Sequence, residues 1–107
     1  MLMVTLNYIP GKEFEAIGIV KGSSIRTVHA GKDIMNGLKT LVGGELDSYN
    51  EMMNEARAYA TKRMEDDARN LGADAIVNVR YSSSSVAQSA AEVMAYGTAV
   101  KFIQKEA

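Results

Sequence analysis

The sequence predicts an α/β domain of the α+β type, in which one long amphipathic helix and one short helix cover an antiparallel sheet. Two observations support this class. Apolar residues recur at steps of three and four over one long stretch, and alternating strand patterns stand on both sides of it. A chain of 107 residues forms one domain, residues 1–107, because this length can bury one core but not two.

The long helix is predicted over residues 45–71. Its opposite side is charged, and Ser48 with Glu51 matches a capping box at its start. Gly72 predicts a helix end in the left-handed conformation, and a strand over residues 75–81 follows at once. The apolar stripe of this helix consists of Leu46, Tyr49, Met53, Ala56, Ala60, Met64, Ala68 and Leu71.

Two strands are predicted before the helices, over residues 1–8 and 14–21. The Pro10–Gly11 turn between them suggests a hairpin. Gly22 and the serines after it are expected to break the second strand, with a short separate strand over residues 25–28. A short helix over residues 33–42 then leads to the Gly43–Gly44 turn.

The region after the long helix is predicted as a hairpin of two strands. The serines at residues 82–85 are expected to form a mobile polar loop. The last strand, over residues 91–103, is apolar on both faces. Gly97 inside it predicts a bulge or a close backbone approach.

Composition excludes several classes of function. The net charge of −1 provides no field for nucleic acid or an anionic membrane, so neither is expected as a partner. The absence of cysteine removes disulfides and thiolate metal sites. No signal peptide is expected, since the apolar start is too short, and no apolar run approaches the ~20 residues of a membrane span. The expected location is the cytoplasm.

A series of short landmarks runs along the chain. They are Gly18-Ile19-Val20-x-Gly22, Asp33, Val42-Gly43-Gly44, Tyr49, Glu55-Ala56-Arg57, Leu71-Gly72-Ala73-Asp74-Ala75-Ile76-Val77 and Gly97-Thr98-Ala99-Val100. In this order they resemble the YbjQ-like family, small proteins of unknown function with a heavy-metal-binding label. The resemblance implies a β-α-β-β unit related to dodecin-like folds and assembled as a ring, typically a pentamer. It supplies no catalytic residues.

Candidate chemistry centres on His29, the single histidine. Asp33 is near enough in sequence to orient it as a base or to share a metal with it. The ordinary alternative is a surface histidine in a turn before a helix. Soft metals require thiolates or several imidazoles, so a metal site would need a ring that gathers one ligand from each subunit. No cofactor is indicated.

The sequence also predicts that the partner of this protein is itself. The helix would be ~40 Å long, whereas a compact chain of this length is only about 34 Å across, so the helix is expected to overhang a lone subunit. The last strand exposes an apolar row on a face that the helices cannot cover. The expected interface residues are Met94, Tyr96, Val100 and Phe102 on that strand, with Tyr59 and Met52 beside the helix stripe.

Three functional hypotheses follow. The first is a ring-forming binding or scaffold module with its sites at subunit junctions. The second is a heavy-metal-binding protein, and the third is an enzyme whose site is shared between subunits. The sequence favours a protein without catalytic activity, because one histidine and no cysteine assemble no recognisable catalytic group.

Overall fold

The computed structural model describes residues 1–27, 44–87 and 90–104. The strands form a four-stranded sheet in the order β1-β3-β4-β2, and a single described helix packs along one face of it. His29, Asp33 and the short helix predicted over residues 33–42 lie outside the described residues. The elements are β1 (Leu2–Met3), β2 (Phe14–Thr27), α1 (Gly44–Asn70), β3 (Ala75–Ala87) and β4 (Ala90–Phe102).

The α+β class is confirmed, but the sheet is mixed. β4 pairs antiparallel with both β2 and β3, while β1 runs parallel to β3 with Leu2 opposite Ala75. The predicted hairpin between the first two strands is therefore wrong. Beyond β1 the chain continues along β3, where Val4 accepts from Val79 N at 3.0 Å and Leu6 accepts from Asn78 N at 2.9 Å.

Gly22 does not break β2, so the predicted strand end at this position is wrong. The strand continues to Thr27, and Gly22 is buried against the helix. A Cβ at this position would collide with the backbone nitrogen of Met64 and the carbonyl oxygen of Ala60. A residue that looks like a breaker in the sequence is thus the point where α1 approaches the sheet most closely.

The serines at residues 82–85 form part of β3, so the mobile loop predicted there is also wrong. Ser82 lies opposite Met94 and Ser85 lies opposite Ala91 in a continuous antiparallel ladder. Backbone hydrogen bonds to a long partner strand hold these residues extended despite their weak strand propensity, because tertiary pairing outweighs that preference.

The close approach predicted at Gly97 is confirmed. A Cβ there would lie 2.8 Å from Ile76 Cγ2 and 3.0 Å from the carbonyl oxygen of Val77. The register between β3 and β4 shifts between Val77 and Arg80, and Asn78 in that interval has a φ of 55°. Gly97 thus faces a β-bulge, which re-aims the residues that follow it.

The left-handed end of the long helix is confirmed as well. Gly72 has a φ of 79°. Its N–H donates to Arg69 O at 3.0 Å, and the N–H of Ala73 donates to Ala68 O at 3.0 Å. This pair of bonds is the Schellman arrangement, which satisfies the last carbonyls of the helix and turns the chain directly into β3.

The core consists of two layers on opposite faces of the sheet. On one face, Ala56, Ala60, Met64 and Ala68 of α1 are fully buried against the three long strands. On the other face, the cover provided by the described residues is limited to residues 4–13 at one end of the sheet, where Ile9 packs on its strands. The strand residues in this second cluster are Ala75, Val77 and Val100.

The molecule is elongated, with extents of 63 × 23 × 16 Å and a radius of gyration of 17.7 Å. A compact chain of this length would have a radius near ~13 Å. The expectation that the helix overhangs its subunit is wrong, because β2 is 14 residues long and reaches ~46 Å, as far as the helix. In the described part of the chain, no helix is both long and apolar enough to cross a bilayer.

Candidate interaction surface

The face of the sheet turned away from α1 is called the outer face here. Residues directly opposite each other on neighbouring strands share a face. Tyr96 lies opposite Lys21 of β2 and opposite Arg80 of β3. These pairs give the register of the three strands and show that the three side chains share one face. The outer face comprises Ile19, Lys21, Ser23, Ile25, Arg80, Ser82, Ser84, Glu92, Met94, Tyr96 and Thr98.

Large apolar side chains stand exposed on the outer face. Ile19 is 81% exposed, Ile25 is 61% exposed and Tyr96 is 39% exposed, while Met94 is half-buried. Within the described residues these side chains belong to neither buried cluster of the sheet. Apolar residues gathered on one face and rimmed by polar ones are typical of an association surface.

Buried and exposed side chains alternate along β2, and this alternation produces the outer face. Val20, Gly22 and Ser24 are buried toward the helix, so the residues between them point outward. The shift of register between Ala16 and Gly18 marks a bulge that sets this phase. Ile19 and Ile25 were not predicted as interface residues. The second strand was predicted to end at Gly22, and the two isoleucines were therefore placed on different strands.

The predicted interface residues do not form one surface in this structure. Met94 and Tyr96 lie together on the outer face. Val100 shares that face but is fully buried under residues 4–13, and Phe102 packs half-buried at the same end. Met52 is buried against Ala91 on the helix side, so two of the predicted contacts, Val100 and Met52, are inside the subunit.

Tyr59 is 47% exposed and lies on the flank of α1 above β2. The guanidinium carbon of Arg26 is 4.3 Å from its ring centroid and that of Arg63 is 5.8 Å away. Arg26 also forms a 3.0 Å ion pair with Glu55. The edge of β2 is thus lined by an aromatic ring and charged side chains from the helix.

One carboxylate on the opposite flank of α1 has a shifted pKa. Glu65 is 3.1 Å from the Met1 ammonium group and 3.2 Å from Arg69. The hydrogen bond from the ammonium group, supported by the charge of Arg69, lowers the pKa of Glu65 below its ordinary value. This group fastens the start of the chain to the helix.

Depressions in the described surface include an open cleft and a smaller cavity. An open cleft of about 660 Å³ lies at the covered end of the sheet, where Lys12 Nζ is 5.2 Å from the Phe102 ring centroid. A smaller cavity of about 130 Å³ lies between α1 and the β3–β4 hairpin and is lined by Tyr49, Met53, Ala91 and residues 83–85. Among the described residues that line the smaller cavity, the ionisable group is the Tyr49 phenol.

The donor groups of the described residues do not fit a soft metal. Such a metal requires thiolates or imidazoles, and the sequence has no cysteine and one histidine. Within residues 1–27, 44–87 and 90–104, no group of three His, Asp or Glu side chains could hold an ion. His29 and Asp33 lie outside this part of the chain.

Comparison with known proteins places the chain among UPF0145 proteins. It is 61% identical over 103 residues to a UPF0145 protein of Alkaliphilus metalliredigens, covering 96% of this chain and 100% of that protein. It is 52% identical to a UPF0145 protein of Thermus thermophilus, covering 94% of this chain and 90% of that protein. A UPF0145 protein of Methanosarcina acetivorans is 50% identical, with 98% and 100% covered.

A solved structure shares the fold. It is a protein of unknown function from Pediococcus pentosaceus, assigned to the DUF74 family, with a TM-score of 0.66 and 18% identity. The match covers 96% of this chain and 98% of that chain. A family model described as "Putative heavy-metal-binding" matches residues 1–103. The fold, the relatives and this match agree with the resemblance drawn from the sequence, and the chain belongs to the YbjQ family of UPF0145 proteins.

Proposed function

We propose that the protein is a homo-oligomeric binding or scaffold module that forms a ring and holds its ligands at subunit junctions. The observation that carries this proposal is the outer face, where Ile19 is 81% exposed and Ile25 is 61% exposed. A second copy of the chain is the occupant that fits this face best.

Charge supports a second copy as the partner. The outer face carries Lys21 and Arg80 together with Glu92, so both signs are present among apolar residues. A strongly charged partner such as nucleic acid would favour a face of one sign. A copy of a chain whose net charge is −1 is not repelled, and mixed apolar and polar residues are typical of interfaces between proteins.

The shape of the molecule supports repeated contacts. The sheet and the helix form a slab only 16 Å thick, with apolar residues left on one broad side. A head-to-tail contact between two different patches generates a closed ring when the rotation closes. We propose five subunits, the number implied by the family resemblance.

Light scattering after size exclusion, together with native mass spectrometry, tests the assembly. We expect a stable oligomer at micromolar concentration, and we expect Ile19→Lys to shift it toward the monomer because a charge is then buried at the contact. Ile103→Lys, at a residue 48% exposed near the end of the sheet, is the matched control. A monomeric wild type would refute the assembly, whereas a trimer or hexamer would refute only the subunit number.

Heavy-metal binding is the second candidate, and the description of the family model favours it. We expect no submicromolar zinc site within one subunit, because one histidine and no cysteine are available. Calorimetry with zinc on wild type and His29→Ala measures this. One zinc ion per chain, bound with submicromolar affinity and lost in His29→Ala, would favour the metal-binding function instead.

A further inference from the structure

β2 is the outermost strand on its side of the sheet in the described part of the chain. One row of its backbone groups pairs with β4, and the alternate row points outward. Within the described residues no strand pairs with this outward row, and a strand edge of this kind is a template on which another strand can add. Exposed Ile19 and Ile25 on the same strand would strengthen such an addition, because they present apolar surface beside the backbone of the edge.

Two side chains of α1 reach over this edge and bind its backbone. Asp67 Oδ2 accepts a hydrogen bond from Lys21 N at 3.1 Å. Arg63 Nη1 donates to Ser23 O at 2.6 Å. The helix therefore occupies one outward donor and one outward acceptor near the middle of β2, which are groups that an added strand would need.

The position of Arg63 is supported by its neighbours. Its guanidinium group lies beside the Tyr59 ring, which also stacks with Arg26. The ion pair between Arg26 and Glu55 adds a second helix contact further along the same edge. The close approach of α1 at Gly22 brings the helix near enough for these side chains to reach the backbone of β2.

We propose that Asp67 and Arg63 form an autoinhibitory contact that closes the β2 edge to strand addition by a second copy of the chain. The contact satisfies the backbone of Lys21 and Ser23 within the subunit. A partner strand can pair there only after both side chains are displaced. This inference does not depend on the proposed ring, since the same block would protect an isolated subunit.

The experiment compares two double variants on the same helix. Arg63→Ala with Asp67→Ala removes both blocking side chains. Lys62→Ala with Asp66→Ala is the matched control, because it removes one positive and one negative charge from an exposed pair 2.7 Å apart. We expect sedimentation velocity to show a several-fold larger share of species above the wild-type mass for the first variant and no change for the control.

Hydrogen exchange of the β2 amides provides the second measurement. In the first variant we expect the Lys21 amide to exchange faster than in wild type at low protein concentration and to regain protection as concentration rises. Adding Lys21→Pro to that variant removes the outward donor, and proline is tolerated at such edge positions. We expect this triple variant to return to the wild-type mass distribution.

The outcomes separate the proposal from simple destabilisation. A wild-type mass distribution for Arg63→Ala with Asp67→Ala would overturn the proposal. Larger species that persist in the triple variant, or that have lost the native circular-dichroism spectrum, would also overturn it, because edge pairing would then not be their cause. If the double variant does not fold, Asp67→Ala alone must show faster exchange of the Lys21 amide and a smaller increase in the species above the wild-type mass. If Asp67→Ala shows neither change, the proposal is overturned.

Discussion

Gly22 is the residue whose role differs most between the sequence and the folded chain. Its lack of a side chain suggests a strand break in the sequence, yet the helix backbone occupies the space that a Cβ would need. The residues that fit here are limited by contact with main-chain atoms, which cannot rotate away as a side chain can. A single methyl group would therefore separate α1 from the sheet.

Gly22→Ala should reduce the free energy of unfolding by about 3 kcal/mol, the upper part of the range for overpacking a core. The matched control is Gly11→Ala, where φ is 77° and nothing lies within 4 Å of the added Cβ. Only the strain of the left-handed backbone acts there, so a loss of about 1 kcal/mol is expected. Urea denaturation measures both, and equal losses would contradict the close approach.

Glu65 makes stability dependent on pH at the acid side. Its pKa in the folded protein is lowered from the ordinary value of 4.5 by the Met1 ammonium hydrogen bond and by Arg69. The folded state therefore binds this proton less readily than the unfolded state. The stability from Glu65 is present above the unfolded pKa and is lost as pH falls through the folded pKa.

Glu65→Gln should lower the melting temperature at pH 6 to 7, and its difference from wild type should shrink as pH falls below the ordinary value of 4.5. Thermal melts followed by circular dichroism between pH 3 and pH 7 measure this. Glu51→Gln is the control. The helix begins at Gly44, so the capping box predicted at Ser48 and Glu51 does not lie at its start, and Glu51 is an exposed residue inside the helix. A Glu65→Gln difference that stays constant over this range would show that the lowered pKa does not contribute.

At the scale of elements, the junction between α1 and β3 also holds the end of β4. Asp74 N donates to Val100 O at 2.9 Å, and Asp74 Oδ2 accepts from Phe102 N at 2.8 Å. Lys101 Nζ lies 3.7 Å from the other carboxylate oxygen. Asp74, a single residue in the connection between α1 and β3, thus fixes the register of the last strand.

Asp74→Ala should cost about 2 kcal/mol of stability, because it removes a charged acceptor from a strand amide. Asp66→Ala is the control, since its exposed pair with Lys62 is worth only about 0.5 kcal/mol. Both variants replace aspartate by alanine, so the difference between their losses of stability reports the hydrogen bonds and ion pairs of Asp74. Chemical denaturation midpoints that coincide would argue against a role for Asp74 in holding β4.

Elements defined by their own sequence were predicted well. The α1 helix and its end at Gly72 follow from periodicity and a glycine stop, which are local signals. β2 and the serine part of β3 were predicted too short, because their extension depends on pairing with β4. The parallel pairing of β1 was missed because the Pro10–Gly11 turn suggested a hairpin with the next strand. The strand predicted over residues 1–8 was also too long, since β1 ends at Met3.

At the scale of the whole molecule, the proposed interaction surface depends on which parts of the sheet the described residues cover. Among these residues the helix covers one face along its length, and residues 4–13 cover one end of the other face. The described residues leave the outer face and the edge of β2 uncovered by another layer or strand. In the proposals above, the first is open to a second copy and the second is closed by Asp67 and Arg63.

The sequence by itself determined the α+β class, the long helix, its left-handed end and the family. These depend on spacing and short motifs that each stretch of chain carries alone. Tertiary structure decided the strand order, the true lengths of β2 and β3, and which apolar residues stay exposed. The physical reason is that a strand completes its hydrogen bonds with partners distant in sequence, so its length, register and buried face are set only when the sheet assembles.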